Sequence, residues 1–272
     1  MVRTPSVQVE EGLLYYKRTG TGPVVVLIHG VAGSHRIWDP LVPLLASDYS
    51  VVRVDLMGYG SSPQWISECT PLAHCEAIHR TLSHLGTQPP YSMIGLSMGT
   101  NLALTYACRW PDEVRKVIGL AFPYFGSATD ARTGLGANLW TRFALNRPRL
   151  AKKVLPATWS FIRHSGLTRF HRGIYTPAMA YDALRVRYAA FESSMRTCML
   201  EFGYGDALEC TANKPRLFVH GERDSWVTSE RVHRAIASFQ RSELEVLSGA
   251  PHNIVVAQPE QTATVIRGFL KS

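Results

Sequence analysis

Nowhere in the 272 residues is there an uncharged apolar run of the roughly 18 residues that a membrane helix needs. The opening stretch, MVRTPSVQVEEG, has no apolar run after its first basic residue, so no secretory signal is read and a cytoplasmic location is expected. Glycine (21) and proline (16) are too few for a collagen-like or low-complexity chain. Cysteine is scarce: Cys69, Cys75, Cys108, Cys198 and Cys210 are odd in number and lack CxxC spacing. They are expected to be buried thiols of a reducing compartment, neither a disulfide framework nor a zinc site. HExxH is missing, as is any His/Cys cluster, so no metal is expected; GxGxxG and a P-loop Lys-Ser/Thr are missing too, so no nucleotide or other cofactor is expected. Acidic residues are absent from Ala131 to Tyr181, a stretch with nine Lys and Arg. The net charge of +8 permits an acidic partner without establishing one, and no nucleic-acid partner is expected.

What is present is 46% hydrophobic residues, enough for a large core and too many for a disordered chain. Val7–Glu10 and Leu13–Arg18 read as a hairpin turning at Glu11-Gly12. Short apolar runs at Val24–His29, Val51–Asp55, Ser92–Leu96, Val117–Ala121, Leu217–His220 and Leu244–Leu247 read as six more strands. Helical spacing separates several of them. Leu72, Cys75, Ile78, Leu82 and Leu85 share one face, Met98–Arg109 stops before Pro111, and a last helix starts near Pro259. Strands alternating with helices imply a mostly parallel sheet covered on both faces. The alternation breaks from about Tyr124 to Asn213, which reads as a helical insertion.

The strongest chemical signal is Gly95-Leu96-Ser97-Met98-Gly99, placed between a strand and a helix. A serine hydroxyl must be exposed and activated to act as a nucleophile. A sharp strand-to-helix turn exposes it, and flanking glycines remove the Cβ atoms that would clash there. The following helix N-terminus offers free N–H groups to an oxyanion. The nucleophile needs a base and the base an orienting acid. His252 lies in the loop after Leu244–Leu247, and Asp224 follows Leu217–His220. Both belong to the sheet edge where doubly wound folds build sites. Glu222 is the competing acid, read as solvent-exposed or structural. The oxyanion donors are expected to be the backbone N–H groups of Met98 and of Val31, in His29-Gly30-Val31-Ala32-Gly33. His29 is read as a structural hydrogen bonder of that loop. Asp55 and the glycines of Asp55-Leu56-Met57-Gly58-Tyr59-Gly60 are read as bracing a turn nearby.

With these residues the chain resembles the α/β-hydrolase fold superfamily, in its cap-bearing branch of serine esterases, lactonases and carbon–carbon bond hydrolases. The matching pieces are the His29-Gly30 loop, Asp55-xx-Gly58-x-Gly60-x-Ser62, the Ser97 turn, Arg109-Trp110-Pro111-Asp112-Glu113-Val114, Gly221-xx-Asp224 and Pro251-His252. The resemblance implies an α/β fold with a mostly parallel eight-stranded sheet flanked by helices and a helical cap inserted after the sixth strand. It implies a core of residues 1–123 and 214–272, a cap of 124–213, and the triad Ser97, Asp224 and His252.

The expected activity is cofactor-independent cleavage of a carboxylic ester, lactone or thioester of a mainly apolar small molecule through an acyl-enzyme. The alternatives are a carbon–carbon bond hydrolase of a diketone-like substrate and a ligand-binding protein of the same fold with little turnover. The basic stretch 131–181 has two readings. It attracts an anionic substrate, or an anionic membrane surface as the less favoured partner, or it is a solvated face over an apolar pocket.

Overall fold

The computed structural model describes residues 12–66, 68–135, 139–170 and 175–272. Among these residues seven strands form one sheet: β1 (Tyr16–Thr19), β2 (Val24–Ile28), β3 (Ser50–Val54), β4 (Tyr91–Leu96), β5 (Val114–Leu120), β6 (Arg216–Gly221) and β7 (Ser242–Leu247). Their spatial order is β1-β3-β2-β4-β5-β6-β7. Only β1 runs antiparallel, against β3; every other pair is parallel. The segment Val7–Glu10, expected as an eighth strand, lies outside the described residues.

The inner strands read as unbroken apolar runs because helices cover both faces. Along β2, Val24, Val26 and Ile28 join one core and Val25 and Leu27 the other. The first core receives the helices Pro71–His84 and Met98–Arg109 through Cys75, Ile78, Leu82 and Leu102. The second receives the C-terminal helix Pro259–Lys271 through Ala263, Ile266 and Phe269.

Between β5 and β6 the described chain holds helices and connecting turns. They include Ala128–Leu135, Leu139–Asn146, Pro148–His164, Pro177–Ala183, Tyr188–Met195 and Tyr204–Cys210. Leu155, Trp159, Phe191 and Met199 from this segment pack into the first core, so it sits on the sheet domain through apolar contact. Asp182 adds a polar tie. It is buried, accepts from Ser34 Oγ at 2.9 Å, and pairs with Arg36 Nε at 2.9 Å. Ser34 lies four residues after Gly30, so the tie reaches the loop that follows β2.

The cysteines correct the reading of the chain as all free thiols. Cys108 and Cys210 are paired as a disulfide, with Cα atoms 5.7 Å apart. They lie at the ends of two packed helices, Met98–Arg109 and Tyr204–Cys210, and are 102 residues apart in sequence. Their proximity is a product of tertiary packing, which linear spacing does not reveal. Cys69, Cys75 and Cys198 are free and buried. Burial pushes the Cys69 thiol up to about 11 and the Cys198 thiol up to about 12, so both stay protonated at neutral pH.

Candidate active site

Ser97 sits between β4 and the Met98–Arg109 helix with φ +52° and ψ −121°. That conformation is strained for a residue with a Cβ. The surroundings hold it. Ser97 N–H donates to Leu120 O on β5 at 2.8 Å, and Thr100 Oγ1 donates to Gly95 O at 3.0 Å. The two flanking glycines are required by contact. A Cβ on Gly95 would lie 2.1 Å from the Gly99 carbonyl carbon, and one on Gly99 would lie 2.0 Å from Ile28 O. The helix therefore packs directly onto β2 and β4, and the serine crowns the junction.

His252 follows β7, in the loop that leads to the C-terminal helices. Its Nδ1 lies 2.7 Å from Asp224 Oδ2. The acid is held in turn by the Trp226 and Val227 N–H groups, which donate to Oδ1 at 2.8 and 3.3 Å. Burial pushes the Asp224 carboxyl up, but the hydrogen bonds it accepts from His252 and from the Trp226 N–H help to more than offset it. The carboxyl lies below its ordinary value and is ionised at neutral pH. It therefore accepts from His252 Nδ1–H, which leaves Nε2 as the imidazole's free acceptor. Among the described residues this Nε2 is buried and has no hydrogen-bond partner. The competing acid, Glu222, is exposed and accepts from Ser248 Oγ and Gly249 N–H at 2.9 and 2.7 Å. It fixes a turn and does not meet the imidazole.

Ser97 and His252 face one cavity of about 330 Å³, with Gly30 and Val31 on its wall. Gly30 passes so close that a Cβ there would lie 3.2 Å from Ser97 Cβ. Met98 is the first residue of its helix, where N–H groups have no intrahelical acceptor. The Val31 loop is braced from beneath by His29. This side chain is fully buried, accepts from Leu56 N–H at Nε2 (3.0 Å), and so donates from Nδ1 to Gly30 O (2.7 Å). Burial lowers its pKa, which keeps it neutral. Asp55 braces the next loop, accepting from His35 Nδ1 at 2.9 Å and Ser61 N–H at 2.7 Å. His29 and Asp55 thus support the site without lining its cavity.

The rest of the cavity wall is mainly apolar, with Ile37, Leu96, Trp159, Ile162, Met179 and Phe191. Among the described residues no lysine or arginine lines it. Arg147, Arg149, Lys152 and Lys153 are exposed at the start of the Pro148–His164 helix region, away from the cavity. Among the described residues there is no group of three His, Cys, Asp or Glu side chains that could hold a metal. Nor is any helix there long and apolar enough to cross a membrane.

Two contributors escape a reading of the sequence. Trp226 stacks on the His252 ring, with centroids 4.5 Å apart and planes 21° apart. Its position two residues after Asp224 is the only linear hint. His220, buried on β6, places Nε2 2.8 Å from Val227 O and 3.3 Å from Asp224 Oδ2. Burial holds its pKa down, so the neutral ring donates from Nε2 to Val227 O and lies beside the acid. The apolar strand pattern gave no hint that this histidine turns toward the acid.

A family model described as alpha/beta hydrolase fold matches residues 23–259. Over 270 residues the chain is 27% identical to a pimeloyl-[acyl-carrier protein] methyl ester esterase of Xylella fastidiosa (strain 9a5c), covering 94% of this chain and 98% of that protein. It is 26% identical over 268 residues to a 2-(acetamidomethylene)succinate hydrolase of Mesorhizobium japonicum, covering 94% and 91%. Among solved structures, a thermophilic esterase from Thermogutta terrifontis aligns with a TM-score of 0.71 at 23% identity, over 95% of this chain and 93% of that one. At that identity the likeness is one of fold.

Proposed function

The chain belongs to the alpha/beta hydrolase fold family, and from that premise we propose that it is a cofactor-independent serine hydrolase of carboxylic esters, lactones or thioesters with a mainly apolar body. One observation carries the reading. His252, tied to ionised Asp224 at Nδ1, keeps a buried and unpaired Nε2 on the wall of the cavity that also receives Ser97.

Ser97 Oγ attacks the carbonyl carbon, and its proton passes to His252 Nε2. Asp224 stabilises the resulting imidazolium and holds the ring in its productive tautomer. The Val31 and Met98 N–H groups receive the oxyanion, at little reorganisation cost because both belong to fixed backbone. Collapse of the tetrahedral intermediate breaks the carbon–oxygen or carbon–sulfur bond, and His252 returns the proton to the departing alcohol or thiol. Water then attacks the acyl-enzyme, giving its proton to His252. The carboxylic acid leaves as Ser97 Oγ is reprotonated.

In the same reading, residues 1–123 and 214–272 form the catalytic core and residues 124–213 form a lid that supplies Trp159, Met179 and Phe191 to the acyl cavity. The cavity volume suits a small substrate. Hydrolysis of a short aryl ester tests the reading. Turnover by the wild-type protein should be lost in a folded Ser97→Ala variant, and equal turnover by the two would refute it.

A further inference from the structure

A second concavity of about 700 Å³ adjoins the catalytic cavity. It is formed by the loop after β3, by the second half of the Pro148–His164 helix, and by the link between the Pro177–Ala183 and Tyr188–Met195 helices. Trp159 and Leu184 belong to the walls of both spaces. The chemistry changes across that shared wall. Among the described residues the catalytic side has no lysine or arginine, whereas the second space is lined by Arg163, Arg185 and Arg187. Ser61, Gln64 and Ser160 add hydroxyl and amide groups, and no described lining residue is acidic.

Three guanidinium groups on one concave wall with no described acidic lining residue make it attractive to an anion. Arg185 is partly neutralised: its Nη1 lies 3.7 Å from Asp182 Oδ1 and 3.3 Å from Ser61 Oγ. That acid is already engaged by Arg36 and Ser34 at 2.9 Å. The side chains of Arg163 and Arg187 have no hydrogen-bond or ion-pair partner among the described residues. Arg163 stands four residues after Trp159, one helical turn on, so the same helix face presents the shared wall and a cation. Arg185 and Arg187 flank Val186, whose burial anchors the link between them.

We propose that this cleft is an anion subsite, which holds a carboxylate or phosphate group of the substrate while the ester of the same molecule lies at Ser97. The proposal rests on the hydrolase reading and narrows it to substrates with an apolar portion at the reacting end and an anion at the other. Guanidinium forks match both oxyanions by paired N–H donors. A ligand that occupies both spaces must cross at the wall they share, Trp159 and Leu184. Two of the arginines that line this cleft, Arg185 and Arg187, come from beyond the acid-free stretch 131–181.

Three aryl esters of equal chain length test it, ending in a methyl, a carboxylate or a phosphate group. The wild-type protein should favour an anionic ester over the neutral one by about tenfold in kcat/KM, mainly through KM. Raising salt from about 0.01 to 0.15 M should shrink the ratio. In Arg163→Gln/Arg187→Gln it should fall toward one, and in Arg163→Lys/Arg187→Lys it should be partly kept. The larger of the two anionic ratios identifies carboxylate or phosphate as the ligand group. Equilibrium binding of the same esters to Ser97→Ala, read by tryptophan fluorescence, separates this proposal from the hydrolase reading. Preferential binding of an anionic ester without turnover by the wild type would uphold the subsite and overturn the hydrolase. Equal binding of anionic and neutral esters would overturn the subsite, whatever the turnover. So would a preference that survives both salt and the glutamine substitutions.

Discussion

Trp226 lies flat against His252, its ring centroid 4.5 Å from that of the imidazole, while its backbone N–H donates to Asp224 Oδ1 at 2.8 Å. One residue thus contacts both partners of the Asp224–His252 pair. The N–H fixes the acid and the indole restricts the ring that the acid orients. An aromatic contact of this kind contributes about 0.5–1.5 kcal/mol. Trp226→Ala should therefore lower kcat by roughly 2–10-fold. Trp226→Phe, which keeps a ring in place, should recover most of the loss. Equal losses in the two variants, measured on one aryl ester, would show that stacking is not what matters.

Asp224 and Glu222 are two residues apart, yet only Asp224 meets the imidazole. Asp224→Asn should slow turnover steeply, toward the roughly 10⁴-fold seen when a serine protease loses the equivalent carboxylate. Glu222→Gln should change kcat little, since Glu222 is exposed and bonded to a surface turn. Steady-state kinetics on the two variants decide the matter, and the reverse ranking would reassign the acid.

Asp182 connects the helices between β5 and β6 to Ser34 and Arg36 in the loop after β2. Removing a buried, paired carboxylate leaves its donors unsatisfied. Arg36 is 39% exposed, so solvent screens part of the loss. Asp182→Ala should cost about 1–3 kcal/mol in denaturant unfolding. Turnover should fall as well, because the loop it steadies carries Val31. An unchanged midpoint with unchanged kcat would remove the tie from the account.

Asp55 gives a pH signature. Burial pushes its carboxyl up, but the hydrogen bond and charge of His35 lead the effects that hold it below its ordinary value of 3.8. A carboxyl depressed on folding stabilises the protein above its unfolded pKa, and that contribution disappears as pH falls through the folded value. Stability should therefore decline as the solution is acidified from the ordinary carboxyl range downward. Asp55→Asn should be less stable at neutral pH and show a shallower acid decline. Parallel stability curves for the two proteins, from denaturant titrations across that range, would contradict this assignment.

The legible parts of the molecule are those set by local chemistry. Val24–Ile28 announces a strand buried on both faces because all five of its residues must be apolar there. Gly95 and Gly99 announce the turn at Ser97 because a Cβ at either would strike backbone. Asp224 and His252 could be selected by their place after strands, and the structure brings them together. Contacts between distant segments leave no such trace. Asp182 and Ser34 are 148 residues apart, and Cys108 and Cys210 are 102 apart. Trp226 gains its meaning only when the loops after β6 and β7 meet. The basic residues of 131–181 are visible in the sequence, but it takes the fold to separate exposed Arg147 and Arg149 from Arg163 at the cleft.

The most direct test of the central claim is intact-mass and peptide mapping after reaction with a fluorophosphonate. This reagent reacts preferentially with an activated serine, and its adduct mimics the tetrahedral intermediate. One adduct per chain should form, located on Ser97. It should be absent from Ser97→Ala and strongly slowed in His252→Ala, with both variants showing wild-type circular dichroism. A wild-type protein left unlabelled, or one labelled at another serine while Ser97 stays free, would contradict the account.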